Sequence, residues 1–283
     1  MNPRTLPFWL AAITAAALAL GAAAAPAAAQ TQAQGSDRVV VPLSHPSQPA
    51  RVNVSMVFGS ITVRAYNGQS VVITTHGGRA RHARPLPPEA QGMRRLTLNP
   101  AITADENDNV VNVHMSLFDG GGDVSLQVPV NSSLKLHTVN GGEIAVTGVH
   151  GDLNVSDLNG AIYLNHVSGS ILANALNGRI TATVDALDPD KPSSFSSMNG
   201  TIDVTLPPAT RANLRMRTDH GNIYIDNGFQ FQVRHTQASS SERGRNGMYR
   251  VRINRTIEGE LNGGGTEIRI TDFNGSIYVR RGK

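Results

Sequence analysis

An Asn-Gly dipeptide that returns at nearly regular intervals constrains the fold of this chain more than any other feature. It occurs at Asn140, Asn159, Asn177 and Asn199, at steps of 19, 18 and 22 residues, and His220 begins a His-Gly pair in the next place, 21 residues later. A regular return at this spacing is typical of repeat architectures, in which each copy packs on its neighbours. Seven copies align on the dipeptide or its variants: 52–63, 134–146, 153–164, 171–182, 193–204, 214–225 and 268–279.

The aligned copies share one column of apolar residues on each side of the turn. After the turn, isoleucine stands in all seven copies: Ile61, Ile144, Ile162, Ile180, Ile202, Ile223 and Ile277. Before the turn stand Val54, Leu136, Val155, Ala173, Phe195, Met216 and Ile270. Apolar residues alternate with others over these short runs, which predicts short β-strands with one buried face.

The turn itself is predicted to be structural. Its residues are Asn140, Gly141, Asn159, Gly160, Asn177, Gly178, Asn199, Gly200, Gly221, Asn274 and Gly275. Glycine after asparagine suits a tight corner, so we expect a positive φ at Gly178. Stacked asparagine side chains can also form hydrogen-bonded ladders, which makes a structural role for this column more plausible than a ligand site.

Two all-β architectures fit these columns. Asn-Gly between alternating strands is a strong signal for β-hairpins, which would form an antiparallel meander. The large apolar residue just before the turn, such as Leu176, favours a β-solenoid instead, because a bend in each coil would return that side chain to the interior. We therefore predict an all-β solenoid of stacked parallel strands, with 18–22 residues per coil.

The rest of the chain is less regular. Residues 96–118 read as a hairpin, and the insertion 226–267 interrupts the repeat with further loops and strands. No boundary is sharp, so 38–283 is predicted to be a single β-strand-repeat domain with its most regular coils over 124–225.

The N-terminus reads as an export signal. Arg4 precedes an apolar run and a small-residue cleavage site, which predicts a signal peptide over 1–29, followed by a flexible leader over 30–37. No later segment is long and apolar enough to cross a membrane, so no integral span is expected after cleavage. The predicted location is the periplasm or the exterior.

Composition excludes several kinds of chemistry. The chain has no cysteine, so disulfides, thiol catalysis and thiolate metal sites are absent. The formal net charge of +4 is small and scattered, which argues against nucleic acid as a partner.

No catalytic, cofactor or metal site is predicted. Histidines in the central repeats occupy different columns, and the Asp119-Gly-Gly-Gly-Asp123 turn is a single copy of a calcium-like motif. Glycosidic chemistry on a solenoid needs paired carboxylates on neighbouring coils, and Asp157 has Thr138 and Ala175 beside it. We therefore expect a protein that is not an enzyme.

Two surface features are candidates for ligand binding. Outward tyrosines share one column: Tyr163, Tyr224 and Tyr278. A basic loop over 79–95 carries Arg79, Arg81, Arg84, Arg94 and Arg95. Exposed aromatic rings can stack on sugars, and clustered arginines attract anionic polymers.

The repeat resembles a known bacterial family. Val128-Pro-Val130, followed by Leu134–Gly141 and repeated Asn-Gly-x-Ile-x-Val, is similar to the "putative adhesin" family of β-strand-repeat proteins, DUF4097, a domain of unknown function. The resemblance covers residues 38–281 and implies a solenoid-like fold in an exported or envelope-associated protein. His220, where asparagine is expected, and the insertion 226–267 depart from the pattern.

These observations favour an exported, non-catalytic, adhesin-like binding or structural module of the bacterial cell envelope. Its partner would be an anionic envelope polysaccharide or another envelope protein. The alternative is a polysaccharide-acting lyase or hydrolase built on a β-solenoid.

Overall fold

The computed structural model describes residues 36–77, 102–115, 122–235, 238–243, 249–254 and 256–283. The predicted signal peptide, residues 119–121 of the Asp119 turn and the arginine-rich loop over 79–95 lie outside these residues. The chain divides into two units, Met1–Gln34, which is not described, and Gly35–Lys283, to which everything below refers. No helix among the described residues could span a membrane.

The described residues form β-strands and the loops that join them. In chain order the strands are β1 (Ser36–Pro42), β2 (Ala50–Phe58), β3 (Ile61–Tyr66), β4 (Ser70–Gly77), β5 (Ile102–Asn107), β6 (Val110–Met115), β7 (Gly122–Pro129), β8 (Ser132–Asn140), β9 (Glu143–Thr147), β10 (Leu153–Asp157), β11 (Ala161–Gly169), β12 (Ile171–Ala175), β13 (Ile180–Leu187), β14 (Ser193–Ser197), β15 (Ile202–Leu206), β16 (Ala212–Thr218), β17 (Ile223–Ile225), β18 (Phe231–His235), β19 (Ala238–Arg243), β20 (Tyr249–Asn254), β21 (Thr256–Leu261), β22 (Thr266–Asp272) and β23 (Ile277–Arg281).

These strands build two large sheets and one small hairpin. The first sheet has ten strands in the order β1-β4-β7-β3-β9-β11-β13-β15-β23-β17. The second has eleven in the order β18-β21-β16-β22-β14-β12-β10-β8-β2-β6-β5, and β19 pairs with β20 alone. Each central coil contributes one strand to each large sheet, so the chain winds from one sheet to the other and back.

Parallel pairing between successive coils confirms the solenoid and shows that the hairpin meander is wrong. Ile162 of β11 lies beside Ile144 of β9 on one side and Ile180 of β13 on the other. In the second sheet, Val155 of β10 lies between Leu136 and Ala173 in the same way. The two apolar columns predicted from the sequence are therefore the rows that stack.

The order of the coils differs from the order of the chain at both ends of the stack. Strand β22 lies between β14 and β16, and β23 lies between β15 and β17, so the last copy of the repeat is inserted before the sixth. At the other end, β2 and β3 lie between the coil of β6 and β7 and the coil of β8 and β9.

Antiparallel strands flank the stack where the repeat ends. Strand β5 pairs antiparallel with β6, and these two strands form the described part of the hairpin predicted over 96–118. The insertion 226–267 supplies β21, which pairs with β16, and β18, which pairs with β21. Strands β1 and β4 extend the first sheet beyond β7 in the same antiparallel way.

The core is a continuous stack of aliphatic side chains between the two sheets. The isoleucines of six copies are buried, and Ile223 at the end of the stack is only partly buried. Phe195 is the largest fully buried side chain. Burial of each such side chain contributes about 1.5–3 kcal/mol, so the stack as a whole supplies the main driving force for folding.

The turn glycines are required by close packing, and the prediction of a positive φ at Gly178 is wrong. In this column only Gly59 has a positive φ, at 107°. A Cβ atom added to Gly178 would lie 1.9 Å from the carbonyl oxygen of Gly160 on the neighbouring coil. The same collision, at 2.1 Å, would occur between Gly200 and Gly178. Backbones at the turn therefore approach too closely for any side chain.

Candidate functional site

The large apolar residue before each turn points outward, which corrects the sequence prediction. Leu176 is 38% exposed, whereas its neighbour Ala175 is buried. The strict inside–outside alternation of the strand continues into the bend, so the small or polar residue takes the inner position. The result is an exposed row, here called the apolar ladder: Val139, Leu158, Leu176, Met198 and Phe273.

Backbone hydrogen bonds keep the apolar ladder in register. The amide of Leu176 donates to the carbonyl of Asp157, and the amide of Asn177 donates to the carbonyl of Leu158. Met198 follows the same pattern on the next coil, where its amide donates to Ala175. Leu158, Met198 and Phe273 are each between 37% and 44% exposed, so the row is open to solvent along its length.

A row of polar side chains runs beside the apolar ladder on the second sheet. Cross-strand register places these residues side by side, and we call them the polar row: His137, Ser156, Asn174, Ser196, Thr271 and Arg217. Together the two rows line a groove with a volume of about 490 Å³, here called the ladder groove.

The exposed charges that line the ladder groove form an ion pair at one end. Arg217 and Asp219 form an ion pair of 3.0 Å at one end. His137 lies at the other end. On the three central coils, the solvent-facing groups are the hydroxyls and amide of Ser156, Asn174 and Ser196. The middle of the groove therefore offers hydrogen bonds and apolar contact without net charge.

Two buried carboxyl groups lie beneath this surface. Asp157 and Asp272 are each 1% exposed, and burial raises the pKa of each to about 6. The backbone amide of Asn159 donates to Oδ1 of Asp157 at 3.1 Å, which offsets part of that rise. Oδ2 of Asp157 and both oxygens of Asp272 lack a hydrogen bond of good geometry among the described residues. The nearby backbone amides of Phe273 and Asn274 offset part of the rise in the pKa of Asp272.

Residues at the same inner position on other coils explain how these carboxyl groups fit. Ser197 donates its hydroxyl to the carbonyl of Gly178 at 3.0 Å, and Thr218 donates to the carbonyl of Gly275 at 2.8 Å. A protonated carboxyl group has the same O–H donor, whereas a carboxylate can only accept. This position therefore favours the neutral acid at Asp157 and Asp272.

The two carboxyl groups do not form a hydrolytic pair. Asp157 lies on β10 and Asp272 on β22, with β12 and β14 between them. At about 4.8 Å per strand the separation is about 14 Å, beyond the spacing of the carboxyl groups in glycoside hydrolases.

The asparagines of the turn form a hydrogen-bonded ladder. Asn177 donates its side-chain amide to Oδ1 of Asn159 at 2.9 Å, and Asn199 donates to Oδ1 of Asn177 at 2.8 Å. The ladder begins at Asn140 and extends to Asn274, and each step joins adjacent coils. The asparagines of adjacent coils are thus joined by side-chain hydrogen bonds, and the structural role of the column stays a prediction that denaturation of asparagine variants tests.

The tyrosine column forms on the outer face of the first sheet, with one change in its order. Tyr163 lies beside Thr181, as expected, but the inserted β23 places Tyr278 between Asp203 and Tyr224. Tyr224 and Tyr278 stack with ring centroids 4.9 Å apart, and Arg280 lies over the ring of Tyr278. Nε of Arg280 is 2.8 Å from Oδ1 of Asp203. These four residues form one patch, here called the tyrosine patch, and Tyr163 lies apart from it.

The other candidate residues are distributed more widely. Arg79, Arg81, Arg84, Arg94 and Arg95 lie outside the described residues. Among the residues that the structure describes, no group of His, Asp and Glu could hold a metal ion. The ladder groove was missed from the sequence, although the period-two alternation up to Asp157 carried the signal that Leu158 faces outward.

Each coil contributes two strands, and equivalent side chains stack from one coil to the next. This arrangement defines the molecule as a β-solenoid. A family model described as Toastrack DUF4097 matches residues 107–262. The chain belongs to this family, as the repeated Asn-Gly-x-Ile pattern indicated.

Solved structures of two bacterial proteins resemble the chain only distantly. A "putative cell adhesion protein" from Clostridium sporogenes ATCC 15579 is 11% identical, with a TM-score of 0.42 over 87% of this chain and 100% of that one. A "putative adhesin" from Bacteroides fragilis NCTC 9343 is 10% identical, with a TM-score of 0.31 over 88% of this chain and 97% of that one. No curated protein matches the sequence.

Proposed function

We propose that this chain is an exported, non-catalytic, adhesin-like binding module of the bacterial cell envelope. The observation that carries the proposal is the apolar ladder, in which Leu158, Leu176, Met198 and Phe273 face solvent in one continuous row. A contiguous apolar surface rimmed by polar residues marks an interaction site more often than a solvated face. The predicted signal peptide over 1–29 supports action outside the cytoplasm.

The proposed partner is an envelope polysaccharide with acidic groups. The tyrosine patch offers an aromatic surface with Arg280 beside it, and the 79–95 loop adds five arginines in sequence. Charged contacts of this kind are screened by salt, so binding through them weakens as ionic strength rises.

Fractionation and co-sedimentation test this function. The exported chain is collected from a producing strain and mixed with purified envelope polysaccharide at low and high salt. We expect co-sedimentation that weakens at high salt and that weakens when Arg79, Arg81 and Arg84 are replaced by serine. Retention of the chain in the cytoplasm, or no co-sedimentation at low salt, would contradict the proposal.

A further inference from the structure

The ladder groove has a chemical pattern that selects among possible occupants. One wall is apolar and the other carries hydroxyl and amide groups, and both repeat once per strand. The groove crosses β8, β10, β12, β14, β22 and β16 in that spatial order. At about 4.8 Å per strand, this path is about 24 Å long. A complementary ligand must therefore be a linear polymer whose repeating unit presents both an apolar surface and hydrogen-bonding groups.

From this pattern we infer that the ladder groove binds an uncharged segment of a linear glycan lying along the solenoid axis. Each pyranose ring has an apolar C–H face, which fits Leu158, Leu176 and Met198. Each ring also has a rim of hydroxyl groups, which fits Ser156, Asn174 and Ser196. The inference rests on the proposed function, since it names the ligand class that one surface of the binding module would take.

Charge supports this choice over a polyanion. The exposed groups of the three central coils are uncharged, and the ion pair of Arg217 with Asp219 neutralises the cation at one end. A chain of acidic sugars would bring repeated negative charge to a groove in which the lining arginine, Arg217, is already paired with Asp219. The groove thus complements a neutral stretch of polymer.

Spacing argues against an extended peptide. A β-strand rises about 3.3 Å per residue, whereas the rows repeat at about 4.8 Å, so peptide groups would fall out of step after a few residues.

A second copy of this chain is also a poor occupant of the ladder groove. A stable interface buries about 800 Å² on each partner, which is far broader than two rows one side chain wide.

Calorimetric titration with two soluble hexasaccharides tests the inference. The probes are the linear hexamers of N-acetylglucosamine and of glucose, with the matching disaccharides for comparison. We expect the chain to bind at least one hexamer. We also expect that hexamer to bind at least about tenfold more tightly than its disaccharide, because it contacts more coils at once.

Variants of the exposed rows locate the binding. The double substitution Leu158→Ser with Leu176→Ser should weaken hexamer binding by about tenfold or more, because it removes apolar contact along the wall. Leu172→Ser is the matched control, since Leu172 is 41% exposed on the same sheet but does not line the groove. Asn174→Ala provides a second test on the polar row. Circular dichroism checks that each variant is folded.

Several outcomes would overturn the inference. These are no binding of either hexamer, binding that the groove variants leave unchanged, and equal loss in the Leu172→Ser control. A dimer of the chain that the double variant dissociates would instead assign the groove to self-association. In each of these cases, co-sedimentation with acidic envelope polysaccharide would still decide the proposed function separately.

Discussion

The Cβ position of Gly178 lies 1.9 Å from the carbonyl oxygen of Gly160 on the adjacent coil. Rotation of a side chain could not relieve the collision of an added Cβ, because the position of that atom is fixed by the backbone of Gly178 and its neighbour is a backbone oxygen. The backbones of adjacent turns are therefore in direct contact. This contact sets the distance between coils, and so the alignment of the apolar ladder and the polar row.

Replacing Gly178 with alanine should destabilise the protein by about 1–3 kcal/mol, as overpacking in a core does. Chemical denaturation measures the change. The matched control is Gly282→Ala, where an added Cβ would have its nearest contact at 3.4 Å. Equal stability of the two variants would contradict the role assigned to the glycine stack.

Substitution of Leu176 by aspartate should change the free energy of unfolding by no more than about 0.5–1 kcal/mol, because the side chain already faces solvent. In contrast, Phe195→Ala should cost about 3–5 kcal/mol, because Phe195 is fully buried. Urea denaturation of both variants compares the two positions. A large loss at Leu176 would mean that the apolar ladder is buried in solution.

The interior of the asparagine ladder should matter more than its end. Asn177→Ala removes two side-chain hydrogen bonds, to Asn159 and from Asn199, whereas Asn140→Ala removes one, from Asn159. At about 0.5–1.5 kcal/mol for each bond, the interior substitution should cost about twice as much. Thermal denaturation compares the loss of stability in the two variants. An equal loss would show that the two hydrogen bonds of Asn177 do not each contribute to stability.

Stability should fall as pH rises through the range in which Asp157 and Asp272 ionise. Their pKa of about 6 in the folded protein lies above the ordinary value of 3.8, so the folded state binds protons more tightly than the unfolded state. Their contribution is therefore fully present below about pH 4, declines between about pH 4 and 6, and is lost above that range. A rise of about two pKa units at about 1.4 kcal/mol per unit gives an expected loss on the order of 3 kcal/mol for each residue.

Serine at these positions isolates the effect from that of other titrating groups. Asp157→Ser and Asp272→Ser keep a hydroxyl donor, as Ser197 has, and should flatten the difference in stability between pH 4 and pH 7. Denaturant midpoints measured across this range compare wild type with each variant. If a variant keeps the wild-type dependence of stability on pH, ionisation of the replaced aspartate does not cause the loss of stability.

The stacked columns could be predicted from the sequence because each coil repeats the same chemistry. Ile162 lies beside Ile144 and Ile180, as the alignment requires. The same similarity prevents prediction of the spatial order of the coils. Strand β22 has the same apolar pattern as β14 and β16, so the pattern does not show which strands it lies beside. The order of these coils therefore does not follow from the apolar pattern alone.

The candidate site was harder to predict than the fold. The sequence predicts Leu176 inside, because a bend before the turn would return its side chain to the core. The structure places Leu176 outside and Asp157 inside, since alternation along a strand is geometric and continues through the bend. Burial raises the pKa of Asp157 to about 6, so the neutral acid predominates only below that pH.

The place of the last coil also bears on how the molecule is completed. Because β22 lies between β14 and β16, the coil formed by β16 and β17 has no native neighbour on that side until residues 266–281 have been synthesised. A chain that stops before residue 266 would be open in its middle, with two unpaired sheet edges facing each other. Unpaired edges of this kind are templates for aggregation. Residues 266–272 therefore complete the second sheet, because β22 is the strand that joins its β14 side to its β16 side.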